Sequence, residues 1–477
     1  MTRSLPVLNP RTGQMDTTIV AADMANVTSD VDRLRRAQSK WAELELVERS
    51  DRLSAFADNL DKSREDILSA LSADTGRQLI AAMELNGVIA SIKGWIEQAP
   101  ELLITGWSQG RSNPAIRHTA QFVPYQVVGV ISPWNFPLTL SMIDAIPALL
   151  AGCAVLLKPS EVTPRFAEPL LAAIRAAGLS DVFSVVQGDG ETGSALVSQV
   201  DAVCFTGSVE TGRKVAAGCA ARLIPAFLEL GGKDPLIVLA DVDIEHATDA
   251  ALRGSVLATG HACQSIERIY VQRSVMDQFI NRLVEKAEAV RLTWPDPNEG
   301  EIGPIIFEKQ AEILTTQIED AKTRGARILT GGIIERHGGG HWLRPTVLTD
   351  VTHEMLVMQE ETFGPLMPVM AFETEQEAIS LANDTSFGLS AAVFSGDLTK
   401  AEHIAGHLHV GAVSLNDTSL TGVFFEAEKQ SFKLSGLGAS RMGASGFQRF
   451  FRRRAIIAQT AAPAPIQTFS ETGNSSS

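Results

Sequence analysis

The sequence has only four cysteines in 477 residues, and no two of them form a CxxC pair. This spacing argues against a structural metal site and against a disulfide framework. We therefore expect no bound metal and a reducing, cytoplasmic compartment. The cysteines are Cys153, Cys204, Cys219 and Cys263.

The sequence also lacks a positive charge balance and a long apolar run. Its formal net charge is -15, which disfavours nucleic acid and anionic membranes as partners. No stretch reaches the roughly 18 apolar residues that a membrane helix needs, and the first residues do not resemble a secretory signal. The exception is a short basic run, Arg452–Arg454, which fits either a basic patch or a solvated edge or subunit contact.

The length of the chain predicts two or more domains. Apolar residues recur at helical spacing from Ser29 to about Ser91, with Ser29 and Asp30 as candidate N-caps. Beyond them, β-rich apolar runs alternate with helical stretches such as 166–177, which predicts a doubly wound parallel sheet in an α/β fold. These runs are 126–132, 154–157, 182–187, 202–205 and 236–239.

A second α/β series extends from about Gly231 to Phe425. Helices are predicted at 275–290 and 309–324, and a strand is predicted at 391–394.

Two side chains with chemical potential stand in unusual surroundings. Cys263 has polar neighbours, whereas a lone cysteine is usually a small buried apolar residue, and a thiolate there suits attack on a carbonyl. Glu229 lies between two leucines just before a glycine pair, where a buried carboxylate suits a general base. The alternative for Glu229 is an ion pair with a nearby lysine or arginine.

Polar side chains follow the first two predicted strands. Asn135, in Pro-Trp-Asn-Phe-Pro, could donate its amide to an oxyanion, or it could be a turn residue between two prolines. Lys158 and Glu161, in Lys-Pro-Ser-Glu, could bond the hydroxyls of a ribose, or they could belong to a surface turn before a helix.

Two glycine-rich segments follow strands and precede helices, so each suits a cofactor phosphate. The segment 188–193 matches G-x-G-x-x-G, but Asp189 and Glu191 would bring carboxylates near a pyrophosphate. The segment 205–212 offers Ser208 and backbone N–H groups at a helix N-terminus, which suit an anion. The residues alone leave both open.

These motifs follow one another in a fixed order. PWNFP, KPSE, FTGS-x-x-x-G, LELGGK, G-x-x-C and ETFGP together resemble the aldehyde dehydrogenase superfamily, and the likeness extends from about residue 5 to 460. The resemblance implies that an aldehyde is oxidised to its acid with NAD, or with NADP as the alternative cofactor. It also implies a Rossmann-type cofactor domain, an α/β catalytic domain and a small β oligomerisation element.

The resemblance assigns three catalytic roles. It implies that Cys263 is the nucleophile, which forms a thiohemiacetal and then a thioester. Glu229 matches the general base that activates water for hydrolysis of that thioester. Asn135, with the backbone N–H of Cys263, matches the oxyanion hole.

The resemblance also implies cofactor and substrate contacts. It favours the segment 205–212 over 188–193 for the pyrophosphate. The expected cofactor contacts are Ser132, Trp134, Lys158, Ser160, Glu161, Gly207, Ser208, Gly212, Leu230, Gly231, Glu361 and Phe363. The expected substrate channel, suited to an apolar aliphatic or aromatic aldehyde, is lined by Phe136, Leu140, Ile143, Leu257, His261 and Gln264.

The resemblance divides the chain into three parts. The cofactor domain is expected at 1–105 and 125–230, and the catalytic domain at 231–436. The segments 106–124 and 437–477 would form the oligomerisation element and the C-terminal tail, with a strand near 455–460. Such arms add strands to a neighbouring subunit, so we expect a homodimer or homotetramer.

Two features depart from the family pattern. His261 stands where the family usually has glutamine, and it could contact the thiol or line the pocket. The usual Phe-Gly-Gly before Lys-x-Ser-Gly is missing from the run 428–436, and the loop 416–425 is longer than usual. Both features bear on the shape of the substrate entrance.

Two alternative functions remain. A semialdehyde dehydrogenase that acylates coenzyme A would share the scaffold, but such relatives typically lack the carboxylate of LELGG, so Glu229 favours water. A non-catalytic binding or structural protein on the same scaffold is expected to have lost Cys263, Glu229 or Asn135, and all three are present.

Overall fold

The structure is a computed structural model that describes residues 3–471. Residues 1–2 and 472–477, at the ends of the expected cofactor domain and tail, lie outside the described residues. The strands are β1 (Arg3–Asn9), β2 (Gln14–Ala21), β3 (Ser108–Gln109), β4 (Ile116–Pro124), β5 (Val127–Ile131), β6 (Ala154–Lys158), β7 (Phe183–Val185), β8 (Ala202–Thr206), β9 (Ala226–Glu229), β10 (Asp234–Val238), β11 (Ile266–Gln272), β12 (Arg327–Thr330), β13 (Ile334–His337), β14 (Gly340–Leu343), β15 (Thr346–Thr349), β16 (Leu366–Phe372), β17 (Phe387–Gly388), β18 (Ser390–Phe394), β19 (Ala412–Leu415), β20 (Phe432–Lys433), β21 (Gly436–Leu437) and β22 (Phe451–Gln459).

The helices lie between these strands and before them. They are α1 (Met24–Glu43), α2 (Leu46–Lys62), α3 (Arg64–Thr75), α4 (Gln78–Leu102), α5 (Pro137–Ala151), α6 (Ala167–Ala176), α7 (Gly190–Val197), α8 (Val209–Ala221), α9 (Ile244–Val256), α10 (Met276–Ala289), α11 (Glu308–Thr323), α12 (Leu356–Gln359), α13 (Glu375–Asn383), α14 (Leu398–Ala405) and α15 (Gly443–Gln448).

A six-stranded sheet has the order β21-β9-β8-β5-β6-β7. Its strands β5 to β9 pair in parallel, and β21 joins the edge antiparallel to β9. Every residue of β5, β6 and β8 is buried, which explains why these segments are apolar without alternation. The predicted doubly wound α/β architecture is confirmed in this sheet.

A seven-stranded sheet follows later in the chain, with the order β12-β15-β16-β11-β10-β18-β19. All its ladders are parallel except the pairing of β12 with β15. Apolar cores lie against both of its faces, since Leu236 and Ile237, adjacent in β10, belong to different core clusters. This sheet is the predicted second α/β series.

The predicted helical stretch before the first sheet is present as α1 to α4, but its expected start was wrong. The first helix begins at Met24, and its N-cap is Asp23 rather than Ser29 or Asp30. The Asp23 carboxylate accepts a hydrogen bond from the Asn26 backbone N–H at 2.9 Å, and the Asn26 amide oxygen accepts from the Asp23 N–H at 3.2 Å. This reciprocal pair satisfies N–H groups at the helix end, so the helix starts earlier than expected.

Among residues 3–471, one helix is long and apolar enough to cross a membrane by length and average composition, and on that measure the expectation that no segment would qualify was wrong. The helix is α4, whose most apolar window has a mean hydropathy of 1.3. Glu84, Asn86 and Lys93 interrupt its apolar residues, and its face with Leu85 and Ile92 packs into the core beside the six-stranded sheet.

A three-stranded sheet joins two distant parts of the chain, with the order β22-β4-β3. The C-terminal strand begins at Phe451, earlier than the expected 455, and pairs antiparallel with β4 from Phe451 to Gln459. The basic run Arg452–Arg454 therefore lies within this strand, and Ile456 and Ile457 are exposed on it.

Candidate active site

The turns that carry the motifs meet at one edge of the six-stranded sheet. Strands β5, β6 and β8 are parallel neighbours, so their carboxyl ends lie side by side. The turn after β5 is tied to β6, since the Ser132 N–H donates to the Lys158 carbonyl at 3.1 Å. Three of the predicted motifs, PWNFP, KPSE and FTGS, are thereby brought together.

The Asn135 side chain contacts the segment that carries the cysteine. Its amide nitrogen donates to the backbone carbonyl of His261 at 2.9 Å, and the residue is 3% exposed. An amide nitrogen carries two N–H groups, so this bond leaves one of them for another acceptor. Asn135 is thus bonded to the carbonyl of the residue that stands two positions before Cys263 in the chain.

Two buried charged residues that were not predicted from the sequence, Arg77 and Glu84, bind backbone groups of Asn135 and of the residues that follow it. Arg77 donates to the backbone carbonyl of Asn135 and, at 3.1 Å, to that of Ala258. Glu84 accepts from the N–H groups of Leu138 and Thr139, at 3.0 Å each, in the first turn of α5. Burial raises the pKa of Glu84 to about 7 and lowers that of Arg77 to about 10.

The His261 ring is packed rather than bonded. It is 0% exposed, its centroid lies 5.1 Å from Trp134, and it stacks on Phe363 at 6.0 Å with an interplanar angle of 24°. Neither ring nitrogen has a hydrogen-bond partner among residues 3–471, and burial holds the pKa of the ring well below its usual range. The ring is therefore neutral and makes no hydrogen bond to the thiol.

Cys263 differs from the other cysteines in its exposure. It is partly exposed, whereas Cys153, Cys204 and Cys219 are buried. Burial raises the pKa of the Cys263 thiol to about 11, and the Lys429 cation is the largest influence in the opposite direction. The thiol is thus protonated near neutral pH in the free protein, and attack requires a base to take its proton.

Glu229 lies at the end of β9 beside two cations. Its Oε2 accepts a hydrogen bond from the Ser431 hydroxyl at 3.1 Å, and the Lys429 Nζ lies 3.5 Å from the same oxygen. The Arg441 Nε lies 4.0 Å from Oε1. Glu229 is therefore ion-paired with a lysine, as one interpretation of the sequence held. It also lies close enough to influence the Cys263 thiol, as a general base would.

A buried ion network continues behind Arg441. Arg441 donates to the Thr206 hydroxyl at 2.6 Å and lies 3.3 Å from Asp144, which also pairs with Arg449. Asp144 and Arg449 are each 1% exposed in their side chains. No sequence motif pointed to these residues, because they come together from α5 and the segment around α15.

Lys158 and Glu161, both predicted to contact the cofactor ribose, lie beside each other at the end of β6. The Lys158 ammonium lies 3.4 Å from Glu161 and donates to the carbonyls of Pro159 at 3.0 Å and Gly188 at 2.5 Å. Burial lowers the pKa of Lys158, while the Glu161 side chain is 42% exposed. The carboxylate is therefore the part of this pair that a ligand can reach.

The two glycine-rich segments have different partners. Ser208 caps α8, and its hydroxyl accepts from the Thr211 N–H at 3.3 Å. A Cβ at Gly207 would lie 2.7 Å from the Phe205 ring, and one at Gly212 would lie 2.6 Å from Leu230.

In the other segment, the Asp189 carboxylate pairs with Arg3 at 2.8 and 3.0 Å. Glu191 also pairs with Arg3, at 2.8 Å. These acidic groups thus tie the segment 188–193 to the N-terminal hairpin of β1 and β2.

Glu361 and Phe363 lie beside the glycine pair after Glu229. Glu361 accepts from the Gly232 N–H at 3.1 Å, and its carboxylate would lie 2.5 Å from a Cβ at Gly231, so a side chain there would displace this carboxylate. Burial raises the pKa of Glu361 to about 8, with a further rise from the nearby Glu267 carboxylate.

A second buried pair that was missed in the sequence supports Phe363. Glu267 accepts from the N–H groups of Thr362 and Phe363, at 2.7 Å each, and pairs with Lys233 at 2.9 Å. The Phe363 backbone has φ +50, which a bulky residue adopts only when its surroundings enforce it. The fold therefore supplies the bonds that present this ring.

The remaining predicted cofactor contacts are engaged inside the protein. The Ser132 hydroxyl lies 2.7 Å from that of Ser141, the Ser160 hydroxyl accepts from the Val162 N–H at 3.2 Å, and the Leu230 N–H donates to Ser435 at 2.9 Å.

The remaining residues that were predicted to line a substrate channel lie in three places. Phe136, Leu140 and Ile143 are half-buried at the start of α5 and in its first half, and Leu257 is 48% exposed. The Gln264 side-chain oxygen accepts from the Thr421 hydroxyl, and its backbone carbonyl accepts from the Ser419 hydroxyl at 2.9 Å. Gln264 thus links the nucleophile segment to the long loop 416–425.

The cofactor side fits a nicotinamide dinucleotide. Three features at one sheet edge suit its parts. The exposed carboxylate of Glu161 suits ribose hydroxyls, and the N-terminus of α8, capped by Ser208, suits a pyrophosphate. The Phe363 ring, which stacks on His261, suits the nicotinamide end. Within residues 3–471, no group of three or more His, Cys, Asp or Glu side chains could hold a metal ion.

Comparison with known proteins gives one consistent family. Residues 1–456 match the Aldehyde dehydrogenase family. The "Putative succinate-semialdehyde dehydrogenase [NADP(+)]" of Mycolicibacterium smegmatis is 37% identical over 458 residues, which are 95% of this chain and 88% of that protein.

Solved structures agree in fold. The "Putative Aldehyde Dehydrogenase PutA" of Anabaena variabilis has a TM-score of 0.95 at 51% identity and covers 97% of this chain and 99% of its own. Betaine aldehyde dehydrogenase of Staphylococcus aureus in complex with NAD+ has a TM-score of 0.91 at 30% identity and covers 98% and 94%. Such enzymes use NAD or NADP, and the chain belongs to the aldehyde dehydrogenase family.

Proposed function

We propose that this enzyme oxidises an apolar aldehyde to its carboxylic acid with NAD, through a thioester on Cys263 that water hydrolyses. The observation that carries this proposal is the grouping of three elements: the partly exposed residue Cys263, the carboxylate of Glu229 and the amide of Asn135, which uses one of its two N–H groups. Each element has the chemistry that one step of the reaction requires.

The first step is addition of the Cys263 sulfur to the aldehyde carbon. The sulfur attacks as a thiolate, so the thiol first releases its proton to solvent water, and the nearby Lys429 cation favours the thiolate. The oxyanion that forms accepts hydrogen bonds from the Asn135 amide and the Cys263 backbone N–H, which are fixed before the substrate arrives. The bound nicotinamide cofactor supplies the hydride acceptor that converts the thiohemiacetal into a thioester.

The second step is hydrolysis. Glu229 takes a proton from water as the water oxygen attacks the thioester carbon, and the Cys263 thiolate leaves with the electron pair of the broken carbon–sulfur bond. Two cations lie within ion-pair distance of this carboxylate, Lys429 at 3.5 Å and Arg441 at 4.0 Å.

We infer a preference for NAD over NADP from Glu161. Its exposed carboxylate lies at the end of β6, where it can accept from both ribose hydroxyls and would repel a 2′-phosphate. Lys158 opposes this preference only weakly, since its ammonium is buried and bonded to two carbonyls.

The substrate class is inferred from the half-buried apolar side chains of α5. Arg253, a basic residue four positions before Leu257 that could hold an anionic substrate, is paired with Asp417. An apolar aliphatic or aromatic aldehyde therefore fits better than one with a carboxylate tail.

We also propose the three-part division of the chain, a homo-oligomer and a cytoplasmic location. The support for the oligomer is β22, an edge strand whose Ile456 and Ile457 are exposed, since unpaired edges of this kind bind another chain. The support for the location is that all four cysteines are free thiols.

The experiment that tests this function is a panel of aliphatic, aromatic and carboxylate-bearing aldehydes, incubated with NAD, with and without coenzyme A. We expect NADH and free acid in equal amounts from apolar aldehydes, with no effect of coenzyme A. Acyl-coenzyme A as the product would support the acylating alternative, and no NADH from any aldehyde would support the non-catalytic one.

A further inference from the structure

We propose that Lys429 is a positioning residue that serves both Cys263 and Glu229 as their shared counter-charge. The proposal rests on the proposed function, since it concerns the nucleophile and the base of that reaction. It assigns a role to the run 428–436, which departs from the usual family pattern.

The position of the Lys429 ammonium carries the proposal. Its Nζ lies 3.5 Å from the Glu229 Oε2, and only 10% of the side chain is exposed. Lysine is a strongly hydrated point charge that usually stays in water, so a nearly buried ammonium must be stabilised by a negative charge. Within residues 3–471, Glu229 is its one ion-pair partner.

The fold fixes Lys429 from both sides. After it, β20 pairs with β17 and β21 pairs with β9, where Gly436 is opposite Glu229 itself. Before it, the Glu428 carboxylate accepts from the Ser445 hydroxyl at 2.6 Å. Lys429 is therefore held over the end of β9 by a short anchored segment, and its proximity to Glu229 does not depend on a flexible loop.

The other charges around Cys263 are already engaged. Arg441, the second cation, is bonded to Thr206 and paired with Asp144. Asp234, the second anion, accepts from the N–H and the hydroxyl of Ser390. Lys429 and Glu229 are thus the two opposed charges near the thiol whose balance the reaction can change.

The shared position matters because the negative charge moves during the reaction. When the thiol has released its proton to solvent water, the sulfur is the anion that the nearby cation stabilises. When the thioester has formed, the sulfur is neutral and Glu229 is the negative partner of Lys429. One cation near both groups thus stabilises the negative charge on each in turn.

The test is alkylation of Cys263 by iodoacetamide as a function of pH, without aldehyde or cofactor, followed by peptide mass spectrometry. Alkylation requires the thiolate, so its rate reports the thiolate fraction. Lys429→Met should slow alkylation about tenfold at pH 7, which corresponds to roughly 1.4 kcal/mol of lost attraction. Lys429→Arg should react nearly as fast as the wild type, because it keeps the charge.

A second variant should change the alkylation rate in the opposite direction. Glu229→Gln removes a negative charge near the thiol and should speed alkylation, which a loss of packing would not do. Lys400→Met is the matched control, since Lys400 is 39% exposed and lies 3.9 Å from Asp241 in another part of the chain. This control should alkylate at the wild-type rate.

The proposal is overturned if alkylation of Lys429→Met follows the wild-type rate at every pH. If that variant does not fold, as judged by circular dichroism, the Lys429→Gln profile decides in the same way. In turnover, removal of the cation should move the acid limb of the kcat/KM profile to higher pH. Failure of the proposed function would instead appear as wild-type protein that forms no NADH, whatever the alkylation rates.

Discussion

The two sides of the site differ in how far their polar groups are already bonded. On the cofactor side, the Lys158 ammonium, the Ser208 hydroxyl and the Glu361 carboxylate each have a partner inside the protein. On the nucleophile side, no hydrogen bond to the Cys263 sulfur is present within residues 3–471, and the Asn135 amide uses one of its two N–H groups.

The proposed mechanism gives the two sides different tasks that would account for this difference. Internal bonds would fix the shape of the cofactor side, so that a dinucleotide finds its contacts in place and little order is lost on binding. The nucleophile side would keep bonding capacity for charges that form only during the reaction. Changes on the two sides should therefore be separable, and two substitutions test this.

The largest expected effect is on the nucleophile side. Cys263→Ala should lower kcat by about a thousandfold or more, because no other group can form the thioester. Its affinity for NAD, measured by isothermal titration calorimetry, should stay within about twofold of the wild type. Cys153→Ala and Cys204→Ala are the matched controls and should turn over, since both thiols are fully buried. Substantial turnover by Cys263→Ala would refute its role as nucleophile.

A smaller effect is expected on the cofactor side. Wild-type kcat/KM should favour NAD over NADP by roughly tenfold to a thousandfold, and Glu161→Ala should remove most of that preference, because like charges at about 4 Å cost 1 kcal/mol or more. The ratio is measured with both cofactors at one saturating aldehyde concentration. Burst amplitude per Cys263 should be unchanged at saturating NAD. A wild type that prefers NADP, or a ratio that Glu161→Ala leaves unchanged, would show that another group discriminates.

Much of the fold and the central residues could be predicted from local sequence. The runs at β5, β6 and β8 are fully buried parallel strands and therefore apolar throughout, which is a strong signal. Asn135 and Glu361 stand in short motifs, and the structure places them beside the segments of Cys263 and Glu229.

The supporting residues could not be predicted, because their partners are distant in the chain. Glu267 binds the N–H of Phe363 across 96 positions, and Arg77 binds the Asn135 carbonyl across 58. Their one local signal is a charged residue in an apolar segment, as in Ile-Glu-Arg-Ile-Tyr at 266–270. A charge of this kind indicates a buried partner but does not identify it.

The central claim is that hydride transfer and hydrolysis use different residues, and Glu229→Gln tests it most directly. On mixing this variant with an apolar aldehyde and NAD in a stopped-flow instrument, we expect a burst of NADH close to one per active site. Steady-state turnover should then be lower by about a hundredfold to ten-thousandfold, the usual contribution of a general base. Mass spectrometry of the stalled enzyme should find the acyl group on Cys263. Normal steady-state turnover, or a burst without an adduct on Cys263, would contradict the mechanism.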